Sequence, residues 1–134
     1  MVLWNGKAKL QFKMKYYIYF VFCITLISCS NPSKGEIHLV SQDEVEVILK
    51  RDNVQLLDVR TKEEFIAGSI YDAQNIDFFD EDFDTKVLEL DKSKPVILFC
   101  QKGGRSAKCA KKMKDLGFTK IYDLDGGYSK WISN

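Results

Sequence analysis

The strongest constraint on the fold is a continuous apolar run, Pro-Val-Ile-Leu-Phe at 95–99, that leads directly into a glycine-containing loop and a helical segment. A run of apolar residues without polar alternation is typical of a buried strand in a parallel sheet. Parallel strands need helical crossovers between them, so this run favours an α/β architecture.

Short apolar runs and amphipathic helices alternate along the rest of the chain after residue 35. Two of the predicted helices begin with capping boxes, Ser41 with Glu44 and Thr61 with Glu64. The alternation predicts one α/β domain over residues 37–134, with a mainly parallel five-stranded sheet flanked by helices. Besides 95–99, we expect strands at 36–40, 54–59, 70–76 and 120–124, and helices at 41–51, 61–68, 82–90, 105–116 and 128–131.

The first 28 residues differ chemically from this domain. They carry four lysines and no acidic residue, and residues 16–27 form an uncharged apolar and aromatic run. This run of 12 residues is too short for a membrane-spanning helix, which needs about 20 apolar residues, and it has the length of the apolar core of a signal peptide. The alternative, a buried strand or helix of the domain, is disfavoured because no polar face alternates along the run. We expect Met14 to be the true start, which makes residues 1–13 a gene-model extension.

The segment that follows, Leu26-Ile27-Ser28-Cys29, resembles the bacterial lipobox. In lipoproteins of that type the cysteine is diacylated through its sulfur and becomes the first mature residue. The resemblance implies that residues 1–28 are a lipoprotein signal peptide, that Cys29 is lipidated, and that the polar residues 29–36 form a tether. We therefore expect a lipid-anchored protein of the bacterial cell envelope, facing the periplasm, whose membrane contact is the lipid on Cys29.

Composition argues against several classes of partner and cofactor. A net charge of +1 gives no ground for a nucleic-acid partner. Of the four cysteines, Cys23 falls in the leader and Cys29 in the lipobox, which leaves Cys100 and Cys109 to the domain. His38 is the only histidine, so a structural zinc site with four ligands is not expected. We expect neither a metal nor a cofactor.

Cys100 is the candidate nucleophile, because it follows the predicted central strand. In open α/β folds, ligands bind beyond the carboxyl ends of the strands. The loop at 100–105, Cys-Gln-Lys-Gly-Gly-Arg, opens directly into a helix, so backbone N–H groups and the helix N-terminus should surround the thiol. Gly103 and Gly104 permit a tight turn, and Arg105 adds a permanent charge. We expect a thiolate with a lowered pKa; the alternative is a small buried residue at a strand end.

The segment Cys-Gln-Lys-Gly-Gly-Arg-Ser at 100–106 resembles the active-site loop of the rhodanese family. Three further segments match motifs of that family in order and spacing, so that the resemblance covers residues 37–132. Ser69 stands where the family usually has histidine, and Asp72 where it often has glycine. The three segments are Leu57-Asp-Val-Arg60 with Glu63-Glu64-Phe65, Gly68 and Asn75-Ile76; Leu116-Gly-Phe118; and Leu124-Asp-Gly-Gly-Tyr128 with Trp131.

The resemblance implies a single rhodanese-like domain that acts as a sulfurtransferase. Cys100 would accept a sulfane sulfur from a donor such as thiosulfate, carry it as a persulfide, and pass it to a thiol or cyanide. Asp58, Arg60 and Glu64 are expected to support the scaffold, with Arg60 paired to Glu64. The implied substrate-binding residues are Gln101, Lys102, Gly103, Gly104 and Arg105.

Loop length separates sulfur transfer from related chemistries. The motif here is Cys-x4-Arg, whereas rhodanese-like phosphatases and arsenate reductases carry Cys-x5-Arg, a wider loop that admits a tetrahedral oxyanion. Sulfur transfer is therefore our main expectation. The alternatives are a non-catalytic sulfur carrier or binding module and, more weakly, a phosphatase or arsenate reductase.

The remaining conspicuous residues are expected to be structural. Cys109 shares a helical face with apolar residues, so we expect a core residue rather than a resolving cysteine, and no disulfide with Cys100. The acidic run at 77–84 lacks the glycine and glutamate of an EF-hand loop and is expected to be a helix N-terminal cluster. Five lysines should form a solvated face of the site helix, although they can attract anionic donors: Lys102, Lys108, Lys111, Lys112 and Lys114.

Overall fold

The computed structural model describes residues 35–51 and 53–133, which form five strands and five helices. The predicted leader, the lipobox with Cys29 and most of the tether lie outside the described residues. In chain order the elements are β1 (Glu36–Val40), α1 (Gln42–Arg51), β2 (Gln55–Asp58), α2 (Lys62–Ile66), β3 (Gln74–Asn75), α3 (Phe83–Leu88), β4 (Val96–Phe99), α4 (Gly104–Asp115), β5 (Lys120–Leu124) and α5 (Gly127–Trp131).

The five strands form one parallel sheet in the order β1-β5-β4-β2-β3. The predicted α/β fold with a five-stranded sheet is confirmed, and every strand pair is parallel. The apolar run at 95–99 supplies β4, the middle strand, whose four residues are all buried. Both faces of β4 are covered, which explains why its sequence shows no polar alternation.

The strand predicted at 70–76 is much shorter than expected. Only Gln74–Asn75 pair with β2, because the backbone turns at Tyr71, where φ is 46°, and the Ala73 N–H bonds back to the Ile70 carbonyl. Ile70 and Ile76 are nevertheless buried. The apolar pattern therefore marked two core contacts on either side of a turn, rather than one continuous strand.

Helices cover both faces of the sheet, as predicted. On one face, Val87 of α3 and Met113 of α4 pack with the strand residues Leu57, Leu98 and Ile121. The opposite face carries α1 and α5, and its buried cluster includes Val45, Leu56, Ile97, Phe99 and Leu124. These two layers hold the ends of β4 and α4, and hence the loop between them, in a fixed position.

Both predicted capping boxes are present. The Glu44 carboxylate accepts a hydrogen bond from the Ser41 N–H at 2.7 Å, and the Ser41 hydroxyl accepts one from the Glu44 N–H at 3.4 Å. Thr61 and Glu64 make the same reciprocal pair at the start of α2. Each box satisfies N–H groups that a helix start leaves without intrahelical partners. Among the described helices, none has the length and apolar character required to cross a bilayer.

Candidate active site

Cys100 directly follows β4, and the loop that succeeds it folds around the thiol. The Gly103 N–H donates a hydrogen bond to Cys100 Sγ at 3.1 Å. The Lys102 and Ser106 N–H groups and the Ser106 hydroxyl also lie near the thiol and favour its charged form, while the Ser106 hydroxyl donates to the Gly103 carbonyl at 3.2 Å. Gly103 precedes α4 with φ of 96°, a left-handed conformation that suits glycine and lets the chain reverse around the sulfur. The sulfur therefore faces several donors at once.

These donors control the ionisation of Cys100. Burial, which leaves only 1% of the residue exposed, is the largest single influence and acts to raise the pKa. Hydrogen bonds from Ser106, Lys102 and Gly103 together outweigh burial and hold the pKa of the Cys100 thiol below its ordinary value of 9.0. The N-terminus of α4 adds positive potential at the same place. The lowered pKa agrees with the expectation from the loop sequence.

Arg105 is held by a carboxylate from another segment of the chain. Its guanidinium donates two hydrogen bonds to Glu64, at 2.6 and 2.7 Å, and lies 5.8 Å from the centre of the Phe79 ring. The hydrogen bonds to Arg105, partly opposed by burial, lower the pKa of Glu64 to about 2. The two side chains are only 20% and 30% exposed. The pair thus fastens the start of α4 to the start of α2.

The expected pairing of Arg60 with Glu64 is wrong. Arg60 instead pairs with Asp58, at 2.7 Å, and both side chains are almost completely buried. The Glu64 carboxylate instead caps α2 and accepts a hydrogen bond from Arg105. The expectation rested on closeness in sequence, which could not show that the α4 N-terminus would bring a second arginine to Glu64.

The buried Asp58–Arg60 pair supports the cysteine loop from below. The Arg60 guanidinium lies 4.0 Å from the centre of the Tyr128 ring and donates hydrogen bonds to the Gly68 carbonyl and to Gln101 Oε1. Gln101 in turn donates to the Ser129 hydroxyl at 2.9 Å. The Gln101 side chain is therefore engaged within the protein, and joins the loop to α5. The scaffold role expected for Asp58 and Arg60 fits these contacts.

The start of α5 lies directly against the cysteine loop. The Tyr128 N–H donates to the Cys100 carbonyl at 2.8 Å, and the Ser129 N–H donates to the Gln101 carbonyl at 3.0 Å. Gly127 makes this approach possible: its φ is 60°, and a Cβ there would lie 2.4 Å from the Cys100 carbonyl oxygen. The Gly-Gly pair near the C-terminus therefore lets the start of α5 lie against the cysteine loop, in addition to forming a turn.

A cavity of about 420 Å³ opens beside Cys100. Of the predicted residues, Glu64, Gln101, Lys102, Gly104 and Arg105 line it together with Cys100, while Asp58 and Arg60 lie beneath the loop. Its remaining lining residues are Phe78, Phe79 and Lys108.

Sequence reasoning missed two kinds of site residue. Phe78 and Phe79 line the cavity, but they reach it through the irregular segment before α3, which no short motif foretells. Ser106 belongs to the loop motif, but the motif does not indicate that this serine is buried in the first turn of α4 beside the Cys100 thiol.

Cys109 is buried in the core, as predicted. It lies on α4 among apolar side chains and is fully inaccessible. Burial, with a smaller contribution from Asp123, raises the pKa of the Cys109 thiol to about 12. Both Cys100 and Cys109 are free thiols. A thiol with so high a pKa is a poor nucleophile at neutral pH.

The acidic run around the start of α3 forms ion pairs with lysines, as follows. Lys86 pairs with Asp80 at 2.8 Å and with Asp82 at 3.0 Å, and Lys112 of α4 pairs with Asp84 at 2.6 Å. Within residues 35–51 and 53–133, no cluster of histidine, cysteine or acidic side chains has the arrangement of a metal site.

The protein is an α/β domain with a parallel sheet. Its candidate active site is a cysteine in the loop that follows the middle strand. The family model described as the rhodanese-like domain matches residues 41–134, and the chain belongs to this family.

The relatives of this chain include a protein named for sulfur transfer. The chain is 40% identical over 77 residues to the uncharacterized protein YqhL of Bacillus subtilis, a match that covers 58% of this chain and only 60% of YqhL. It is 38% identical over 88 residues to the chloroplastic thiosulfate sulfurtransferase 16 of Arabidopsis thaliana, with 58% of this chain and 73% of the relative covered. Among solved structures, a rhodanese-related protein from Thermoplasma volcanium aligns with a TM-score of 0.63 at 29% identity, over 72% of this chain and 91% of the other.

Proposed function

We propose that this protein is a sulfurtransferase that carries a sulfane sulfur as a persulfide on Cys100. The observation that carries the proposal is the convergence of backbone N–H groups and the Ser106 hydroxyl on one thiol at the end of the middle strand. The sulfurtransferase names of relatives at modest identity support the same chemistry.

The proposed reaction has two displacement steps. In the first, the Cys100 thiolate attacks the outer sulfur of thiosulfate, the sulfur–sulfur bond of the donor breaks, and sulfite leaves with the bonding electron pair. In the second, a nucleophile such as cyanide or a thiolate takes the terminal sulfur, and the Cys100 thiolate is restored. The same loop N–H groups that stabilise the thiolate would stabilise the anionic persulfide, in the manner of an oxyanion hole.

Anionic donors would be attracted by cations at the cavity. Lys102 and Lys108 line it and are exposed, so their ammonium groups can approach an anion with little desolvation. Arg105 contributes a further positive charge, although its two best hydrogen-bond donors are engaged by Glu64. We propose that Lys102 makes the principal contact with the donor, and that Arg105 chiefly maintains the loop on which that contact depends.

A turnover assay with thiosulfate and cyanide tests the proposal. Thiocyanate formation should be readily detected for the wild type and should fall to background in Cys100→Ser, because a serine hydroxyl is much less acidic and cannot carry a sulfane sulfur. Cys109→Ser, the matched control, should retain most of the activity. Full turnover by Cys100→Ser would refute the proposal.

A sulfur carrier differs from an enzyme in the second step. If Cys100 acquires a persulfide from thiosulfate but cyanide and small thiols do not remove it, the protein is a carrier that needs a specific acceptor. Hydrolysis of an aryl phosphate by the wild type, lost in Cys100→Ser, would instead favour the phosphatase alternative.

We also propose that the protein is anchored in the bacterial cell envelope by lipid on Cys29. The support is the uncharged run at 16–27 followed by Leu26-Ile27-Ser28-Cys29. Growth with labelled palmitate in a bacterial host should label the wild type, and Cys29→Ser should abolish the label. Label that persists in Cys29→Ser would contradict this assignment.

A further inference from the structure

Phe79 is an exposed aromatic residue that lines the cavity beside Cys100. It is 68% exposed, whereas Phe78, which also lines the cavity, packs against the core with its ring centre 5.3 Å from that of Phe83. The rings of Phe78 and Phe79 meet edge to face, with their centres 5.7 Å apart. The aromatic side of the cavity therefore runs from the core at Phe78 to the exposed ring of Phe79.

The backbone around Phe79 fixes this ring outside the core. The Phe79 N–H donates to Asp77 Oδ1 at 2.9 Å, and the Asp80 N–H donates to the Asp77 carbonyl at 3.1 Å. Asp77 thus opens a turn, as aspartate commonly does. The Phe78 N–H donates to the Val59 carbonyl at 3.2 Å, which fastens the turn to the end of β2. Single exposed apolar side chains are common on proteins, but Phe79 differs because it shares a cavity with the nucleophile.

Cationic side chains share the cavity with this ring. The Arg105 guanidinium lies 5.8 Å from the centre of the Phe79 ring, and Lys102 and Lys108 are exposed lining residues. Glu64 also lines the cavity, but its carboxylate accepts two hydrogen bonds from Arg105. The two lysines therefore give the cavity an excess of positive charge, next to an aromatic surface.

Thiosulfate would occupy only a part of this cavity. Its volume of about 420 Å³ lies within the range of about 300–1,000 Å³ that is typical of pockets for small organic ligands. Thiosulfate is a compact ion of sulfur and oxygen, and it has no apolar group that would gain from contact with an aromatic ring. An apolar organic group would gain from covering that ring. The lining therefore suits an anion that also carries an organic group.

We propose that Phe79 is a specificity-determining residue: its ring holds the apolar organic group of a sulfur donor whose anionic end lies against Lys102, so that the protein prefers an organic donor to thiosulfate. The inference rests on the proposed function of Cys100 as a sulfur acceptor. For a thiosulfonate, R–SO2–S⁻, the Cys100 thiolate attacks the outer sulfur, the sulfur–sulfur bond breaks, and the sulfinate R–SO2⁻ leaves with the bonding electron pair.

Two thiosulfonates with the same reacting group test the role of Phe79. With cyanide as acceptor, kcat/KM for the donor should be higher for benzenethiosulfonate than for methanethiosulfonate. In Phe79→Ala the ratio of these two kcat/KM values should fall about tenfold, because only the phenyl group has lost a contact. Phe79→Leu keeps an apolar side chain, so its ratio should stay within about threefold of the wild type.

Tyr71→Ala is the matched control. Tyr71 is an aromatic residue with a similar exposure, 64%, and it is not among the residues that line this cavity. Its loss should leave the ratio unchanged. An unchanged ratio in Phe79→Ala, or an equal fall in Phe79→Ala and Tyr71→Ala, would overturn the proposal.

A second reaction tests the same contact without sulfur transfer. Dithiobis(nitrobenzoate), an aromatic disulfide that carries carboxylates, reacts with a thiolate by disulfide exchange, whereas iodoacetamide is a small neutral alkylating agent. Peptide mapping identifies the product at Cys100 separately from any at Cys109. The ratio of the two rates at Cys100 should also fall about tenfold in Phe79→Ala.

The two assays separate failure of this proposal from failure of the proposed function. Absence of turnover with every donor would refute sulfur transfer, and the ratio of rates at Cys100 would still decide whether Phe79 holds an aromatic anion. An unchanged ratio of those rates in Phe79→Ala would overturn the role of Phe79 even if thiosulfate and cyanide are turned over.

Discussion

Cys100 and Cys109 are both buried, yet their surroundings shift the pKa values of the two thiols in opposite directions. Cys100 is 1% exposed and Cys109 is fully buried. The pKa of Cys100 lies below its ordinary value of 9.0, whereas the pKa of Cys109 is raised to about 12. The two residues are close in the sequence: Cys100 lies in the loop that precedes α4, and Cys109 lies within α4.

The difference lies in what replaces water around each sulfur. Around Cys100, loop N–H groups and the Ser106 hydroxyl replace it, and these donors favour the charged form. Around Cys109, apolar side chains replace it, with only a weak favourable influence from Lys112. Burial by itself therefore does not indicate whether a cysteine is reactive. The position of the thiol relative to the helix N-terminus and the loop backbone decides it.

If the loop backbone makes Cys100 different from Cys109, distorting the loop should have the largest effect. Gly127→Ala would place a Cβ against the Cys100 carbonyl oxygen at a residue with φ of 60°. We expect it to lower the free energy of unfolding by about 2–4 kcal/mol and to reduce sulfur transfer more than tenfold. Urea denaturation and the turnover assay measure the two effects.

Gly117→Ala is the control for Gly127→Ala. Gly117 has φ of 98°, but nothing lies within 4 Å of a Cβ built there. It should therefore show only the backbone cost, about 1 kcal/mol, and leave Cys100 reactivity unchanged. Equal losses of activity in the two variants would contradict the importance of the contact between Gly127 and the loop.

We expect a smaller effect from loss of the Glu64–Arg105 ion pair, which joins the start of α4 to the start of α2. Glu64→Gln removes the carboxylate that holds Arg105, and we expect a loss of about 1–2 kcal/mol at pH 7, moderated by partial exposure of the pair. Because its folded-state pKa of about 2 lies below its ordinary value of 4.5, Glu64 stabilises the fold above pH 4.5. That contribution is lost as the pH falls from 4.5 towards 2.

Denaturation of Glu64→Gln and the wild type over a range of pH checks the sign of this effect. The difference in unfolding free energy between them should be greatest near neutral pH and should shrink below pH 4.5. A difference that stays constant down to pH 2.5 would show that the charge of Glu64 contributes nothing to it, since glutamine can still cap α2.

The smallest effect is expected at the second cysteine. Cys109→Ala should cost about 1 kcal/mol of stability, because it removes one buried sulfur from a well-packed face. Its alkylation profile at Cys100 and its rate of sulfur transfer should match the wild type. A marked fall in the transfer rate with stability preserved would give Cys109 the resolving role that its burial argues against.

The sequence predicted the fold where its signals were local. The apolar run at 95–99 identified the middle strand, and the capping boxes at Ser41 and Thr61 correctly placed two helix starts. The strand predicted at 70–76 was too long because Ile70 and Ile76 are both buried. An apolar residue buried beside a turn gives the same sequence pattern as one buried in a strand.

Contacts between distant segments were harder to predict. The loop sequence indicated a stabilised thiolate at Cys100, because the donors belong to the residues that follow it. The pairing of Glu64 with Arg105 joins segments 41 residues apart, and the approach of Gly127 depends on where β5 ends relative to β4. Such contacts follow from the packing of the whole domain, which no short pattern contains.

The most direct test of Cys100 as the nucleophile asks which of the two thiols carries sulfur. The folded protein is treated with thiosulfate, freed of excess reagent, trapped with an alkylating agent and mapped by peptide mass spectrometry. We expect the added mass of one sulfur atom on the Cys100 peptide and none on the Cys109 peptide. Sulfur on Cys109, or on neither cysteine while thiocyanate is still formed, would contradict it.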